Sequence, residues 1–143
     1  MEPARIPLEM RVEPRAYGTL DLLYRAGAEG DVPGWLAGAT HAAPARRPDP
    51  TMNFSAVGIA FDDVPACADG DVLLLELGMP GEAGTWRGAA RVVRVSPIPI
   101  DERDEHVSAT HRVAVHVTAL SAEGEEALRA YTVRVRQANG REG

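Results

Sequence analysis

The sequence predicts a mainly β fold, a small antiparallel barrel followed by one C-terminal helix. Three observations carry that expectation. Short segments of alternating apolar and polar residues recur along the chain, and alternation is the period of a half-buried strand. Glycine- and proline-rich stretches punctuate them at turn-like intervals. Helical spacing of apolar residues emerges clearly only once, after Ser121. Closing the sheet would remove its exposed edges, which favours a barrel over an open sheet.

The 143 residues are the length of one domain, and their 45% hydrophobic and 25% charged content is that of a globular protein. No apolar run approaches the ~20 residues of a membrane-spanning helix. Met1-Glu2-Pro3-Ala4-Arg5 lacks the apolar core of a secretory signal, so a cytoplasmic protein without a membrane partner is expected. The single cysteine, Cys67, has no partner for an internal disulfide. A net charge of −6 opposes nucleic-acid backbones, and no nucleic-acid partner is expected. All 15 basic residues are arginines, so any anion site must use planar guanidinium forks.

Residues 1–15 form a lead-in without a clear period, expected to be flexible. In Arg11-Val12-Glu13-Pro14-Arg15, Pro14 biases Glu13 away from helix, and an extended backbone puts Arg11 and Arg15 on one side. Tyr17 to Arg25 reads as a strand with Leu20, Leu22 and Tyr24 on one face. Residues 27–50 hold four glycines and four prolines and read as a long inserted loop. Trp35 is expected to pin that loop to the body, and the pair Arg46-Arg47 to be solvated.

Thr51 to Phe61 reads as the second strand, interrupted. Met52 and Phe54 occupy even positions, whereas Val57, Ile59 and Phe61 occupy odd ones. One strand cannot bury both sets on one face, so a bulge or tight turn at Ala56–Gly58 must reset the register. Gly58 is the residue expected to tolerate the required backbone angles. Asp69-Gly70 signals a turn, Val72 to Leu77 a buried strand, Thr85 to Val95 a further strand with imperfect alternation. Ser96 to Thr110 is an acidic connection, and His111 to Leu120 the last strand. Ser121 is a helix N-cap, followed by Glu123, Glu125 and Glu126 where the helix dipole favours anions. Ala127, Leu128, Tyr131 and Val135 make its apolar stripe. Residues 137–143 read as a frayed polar tail.

Catalytic signatures are absent: there is no G-x-S-x-G elbow, no G-x-x-x-x-G-K loop and no G-x-G-x-x-G fingerprint. His106, His111 and His116 recur every five residues, a spacing that does not gather metal ligands on one strand face. No metal site, catalytic residue or cofactor is therefore expected. The arginine pair followed by Asn53-x-Ser55-x-x-Gly58 is more informative. Guanidinium forks grip phosphates or stack on bases, Asn and Ser donate to and accept from a purine edge, and N–H groups near Gly58 hold an oxygen. Together they suit an anionic guanine nucleotide.

In these stretches the chain resembles the PilZ domain family. Arg11-x-x-x-Arg15 and Asn53-x-Ser55-x-x-Gly58 look like its two signature motifs, and Leu20 to Arg25, Asp69 to Val72, Gly88 to Val95 and Arg112 to Leu128 are similar to its strands and strand-to-helix ending. The resemblance implies a six-stranded antiparallel barrel over residues 16–136 and a bacterial receptor for cyclic di-GMP. It implies that Arg11 and Arg15 wrap the ligand, Asn53 and Ser55 read guanine edges, and Gly58 permits close approach. Residues 16 through 52 separate the motifs by more than the family's usual spacing, so the 27–50 loop would cap or obstruct the site. With no second domain in the chain, signalling would pass through an unidentified downstream protein, and a homodimer is permitted. The alternative is an adaptor of the same fold that binds no nucleotide and acts through protein contacts alone.

Overall fold

The computed structural model describes residues 15–38, 45–64, 67–103 and 108–142. Seven strands, β1 (Ala16–Tyr17), β2 (Asp21–Gly27), β3 (Met52–Phe54), β4 (Gly58–Asp63), β5 (Val72–Gly78), β6 (Trp86–Pro97) and β7 (His111–Leu120), build one sheet. Their order is β1-β3-β4-β7-β6-β5-β2, and every neighbouring pair is antiparallel. A short helix α1 (Val32–Leu36) follows β2, and the long helix α2 (Ala122–Glu142) ends the chain. The fold is mainly β with a C-terminal helix, as the alternation implies.

The expected six-stranded closed barrel is corrected to a seven-stranded sheet whose hydrogen-bonded ladder stays open between β1 and β2. These outer strands are nevertheless consecutive, joined by Gly18-Thr19-Leu20. The segment read as one strand from Tyr17 to Arg25 bends there, so its first part pairs with β3 and its second with β5. Arg46 runs beside β2, its N–H and C=O exchanging hydrogen bonds with Tyr24 at 2.6 and 2.9 Å.

Alternation places Leu20, Leu22 and Tyr24 inside with Phe54, Ile59, Phe61, Val113 and Val115. Leu128 of α2 is fully buried against this core, and the Tyr131 ring stacks on Phe54 at 5.6 Å. The nearly continuous apolar run of β5 has a local cause. Leu73, Leu75 and Leu77 face the core, while Leu74 fills the space beside Gly27, where a Cβ would come within 2.8 Å of it. Trp35 of α1 covers the same outer region and donates its indole N–H to the carbonyls of Leu75 and Gly88, at 3.0 and 2.9 Å. The 27–50 loop is thus partly structured, with a 3₁₀ turn at Glu29–Asp31, α1 and the Arg46 bridge. Trp35 pins it, as expected.

Thr51 to Phe61 is two strands joined by a tight turn, which explains the parity switch between Phe54 and Ile59. Ser121 caps α2, its hydroxyl accepting the Gly124 N–H at 3.0 Å. The helix runs on to Glu142 through the stretch read as a frayed tail, because Asn139 finds a partner. Its side-chain amide accepts from the Tyr17 N–H and donates to the Tyr17 carbonyl, at 2.9 and 3.1 Å. One asparagine thereby satisfies β1 as a neighbouring strand would.

Candidate functional site

The β3–β4 turn is built by its own serine. The Ser55 N–H donates to the Gly58 carbonyl at 2.8 Å, and the Ser55 hydroxyl accepts from the N–H groups of Gly58 and Val57 at 3.1 and 3.3 Å. Ser55 is buried, and its oxygen is spent on holding the turn. The Val57 carbonyl accepts from the Val117 N–H at 2.9 Å, which fixes the turn against β7.

Asn53 lies between the buried Met52 and Phe54, so its side chain points to the outer face. Register pairs Tyr17 with Asn53 and Ala16 with Phe54. That pairing delivers Arg15, the residue before β1, onto the turn. Its Nε donates to Asn53 Oδ1 at 2.8 Å, and Nη2 lies 3.5 Å from the Asn53 carbonyl. Gly58 completes the arrangement by having no side chain: a Cβ there would touch Arg15 Nη1 at 3.4 Å and the Val115 carbonyl at 3.5 Å. Its backbone is not left-handed, for the glycines of positive φ are Gly38, Gly70, Gly81 and Gly84. The expectation of special backbone angles at Gly58 is therefore corrected: its φ is not positive, and a Cβ would sit at ordinary contact distance from its neighbours.

The structure thus brings Arg15, Asn53, Ser55 and Gly58 together, while Arg11 lies outside the described residues. A pocket of about 150 Å³ opens beside them, lined by Arg15, Ser55, Gly58, Val93, Ala114 and His116 among others. Its lining combines the Arg15 fork with small residues and the His116 imidazole, and the Asn53 amide that receives Arg15 lies next to it. A guanidinium fork has the geometry to face a planar, polar, anionic group.

The second arginine pair has a different fate. Arg46 grips Asp63 with two hydrogen bonds, 2.9 and 2.6 Å, and Asp63 also accepts from the Tyr24 hydroxyl at 2.8 Å. Burial, then the hydrogen bond to Asp63, raises the Tyr24 phenol well above its ordinary pKa, and the same carboxylate raises Arg46. Arg112 holds the neighbouring Asp62 at 2.8 Å. Arg47 lies 3.4 Å from Asp21 on the exposed side. Asp62 and Asp63, adjacent at the end of β4, are both buried and paired. Their signal was the arginine count, but nothing local says which arginine reaches which carboxylate.

Among the described residues no three His, Cys, Asp or Glu side chains converge as metal ligands, and no helix is long and apolar enough to cross a membrane. His106 lies outside the described residues, while His111 Nδ1 sits 2.8 Å from the Thr110 hydroxyl.

Fold and site together define a class: a small antiparallel β protein with a C-terminal helix and an arginine-topped hairpin on its outer face. No protein-family model matches the chain, and no curated protein matches it. Among solved structures it is similar to the Bacillus subtilis inhibitor of motility, MotI/DgrA, with a TM-score of 0.59 and 22% identity. The match covers 87% of this chain and 50% of that one, so the chain spans half the length of its neighbour. The likeness is one of fold.

Proposed function

We propose that this chain is a PilZ-like receptor for cyclic di-GMP, a binding protein and not an enzyme, acting in the cytoplasm through a protein partner. The observation that carries the reading is Arg15 seated on Asn53 above Gly58, at a turn held by Ser55. Arg15, one end of the first motif, and Asn53 of the second lie 38 positions apart in sequence and are in contact. The fold shared with a protein named as an inhibitor of motility supports a signalling role and makes motility machinery a candidate target.

A pocket of about 150 Å³ is smaller than the roughly 300–1,000 Å³ of ordinary ligand clefts. It would seat one part of the nucleotide, with Arg11 proposed as a further contact. A guanine edge would take over the Asn53 amide and release Arg15 toward phosphate or the base face. The net charge of −6 does not prevent this, since charges beyond about 8–10 Å are screened while the forks act at contact. Nucleotide binding would then alter the surface offered to a partner protein.

Calorimetric titration with cyclic di-GMP tests the reading, and its stoichiometry distinguishes one bound molecule from an intercalated pair. Arg15→Ala should weaken binding roughly ten- to a hundredfold, the cost of a charge-assisted hydrogen bond. An isotherm unchanged by that substitution removes the arginine from the site. One observation favours a nucleotide-independent adaptor: Arg15 and Asn53 already satisfy each other, a clasp that by itself fastens β1 to the hairpin. Absence of heat at millimolar nucleotide would select it.

A further inference from the structure

Cross-strand register extends the candidate site beyond the two motifs. Side chains directly opposite one another in antiparallel strands share a face. One outer row runs Tyr17, Asn53, Ala60, Ala114, Arg94 across β1, β3, β4, β7 and β6. The next runs Gly58, His116, Arg91. Gly58, Ala60 and Ala114 form a floor with almost no side-chain relief. Arg15 and Asn53 stand at one end of it, His116 and Arg94 at the other.

Two features of the far end are unexplained by packing. Nδ1 of His116 is buried without a hydrogen-bond partner, although the residue lines the pocket beside Arg15. A buried polar atom left unpaired is costly, and native proteins keep few of them. Arg94, meanwhile, is exposed and forms no ion pair among the described residues. It faces Ala114 because β6 shifts register between Val92 and Arg94, and bulges of this kind re-aim side chains. Arg91 is already held by Glu29 and the Gly70 carbonyl, so it is not the second cation of the floor.

We propose that His116 and Arg94 form the far wall of the nucleotide site, with the His116 imidazole hydrogen-bonding a ligand that lies on the Gly58–Ala60–Ala114 floor and Arg94 facing its anionic part. The inference rests on the cyclic di-GMP reading above. Neither residue belongs to the two motifs. The imidazole supplies one donor and one acceptor, so it matches a guanine edge as well as a phosphoryl oxygen.

The test is titration of the full chain with cyclic di-GMP, using the unsubstituted protein, Arg15→Ala, His116→Ala, His116→Gln and Arg94→Ala. Loss of one hydrogen bond should weaken His116→Ala roughly five- to tenfold, with His116→Gln intermediate because its amide still donates. Arg94→Ala should bind a few-fold more weakly and with a shallower salt dependence. Imidazole nitrogen resonances of the unsubstituted protein provide a readout independent of folding. The set missing in His116→Gln should shift on adding nucleotide. Binding lost in Arg15→Ala but unchanged in His116→Ala, or a His116 resonance unmoved at saturation, overturns this inference alone. No binding by the unsubstituted chain overturns the receptor reading and this inference with it.

Discussion

Two arginines hold the β3–β4 hairpin, and they do so in opposite ways. Arg46 reaches Asp63 at the end of β4, inside a cluster where Tyr24 takes up the same carboxylate and its ring packs on Phe61. Every polar atom of Asp63 has a partner, and the side chain is 3% exposed. Arg15 reaches Asn53 at the other end of the hairpin, on the outer face, above a glycine and beside a pocket. The first arrangement is closed by charge and burial and has nothing left to offer. The second lies on the outer face, where the Arg15 guanidinium meets the uncharged amide of Asn53 beside a pocket. Arginine in a sequence therefore says little until its acceptor is known: a buried carboxylate makes a strut, and an outward amide leaves the fork near the surface where a ligand is proposed to bind.

Breaking the strut should produce the largest effect. Asp63→Ala strips the partner from the Tyr24 hydroxyl and from Arg46, and removal of one member of a buried pair costs about 3 kcal/mol, the low end because Arg46 still meets water. Thermal unfolding should show a melting temperature lower by roughly 10 °C. Nucleotide affinity, measured well below that midpoint, should remain close to that of the unsubstituted chain. Asn53→Ala should do the converse. Its melting temperature should barely move, whereas calorimetry should show affinity reduced roughly tenfold for loss of one polar contact to the base. A large melting shift in Asn53→Ala with intact affinity would make the Arg15 clasp a second strut.

How much of this contrast the sequence discloses depends on range. Alternation in Leu20, Leu22 and Tyr24, the switch of parity after Phe54, and the Ser121 cap are local, and the structure keeps them. Trp35 was legible as an anchor because an aromatic in a loop of glycine and proline has to bury itself somewhere. The Tyr24–Asp63–Arg46 cluster was not, since it joins residues 24, 46 and 63 through packing and not through spacing. Asn139 is similar: a polar residue past the apolar stripe looks like a tail until Tyr17 supplies its partner. His116 was weighed only as a metal ligand, because its relation to Gly58 exists in the β4–β7 register and nowhere in the chain order.

The strut also has a pH signature. The Tyr24 phenol is raised above its ordinary value of 10.0 chiefly by burial, with Asp63 adding to the effect. The folded state therefore keeps its proton at a pH where the unfolded chain loses it. Stability from this group is full below pH 10 and falls as pH rises further, by about 1.4 kcal/mol per pH unit while only the unfolded chain ionises. Burial raises Tyr131 in the same direction, so the slope of the whole protein is not Tyr24's alone. Chemical denaturation at pH 9.5 and 10.5 should show a smaller loss in Tyr24→Phe than in the unsubstituted chain. Equal losses would mean that the Tyr24 phenol is not held buried and protonated in solution.

The smallest change sharpens the comparison most. Gly58→Ala adds one methyl group where the nearest atoms are Arg15 Nη1 at 3.4 Å and the Val115 carbonyl at 3.5 Å, ordinary contact distances. Since Gly58 is not left-handed, alanine is free of backbone strain there, and stability should stay within about 0.5 kcal/mol. The methyl nevertheless stands on the floor between Arg15 and His116, where it would take space from any planar ring laid there. Affinity for cyclic di-GMP should fall a few-fold while the melting temperature holds. Were the Arg15 clasp merely structural, the same methyl would alter nothing that a titration could read, because no ligand would ever need the space it fills.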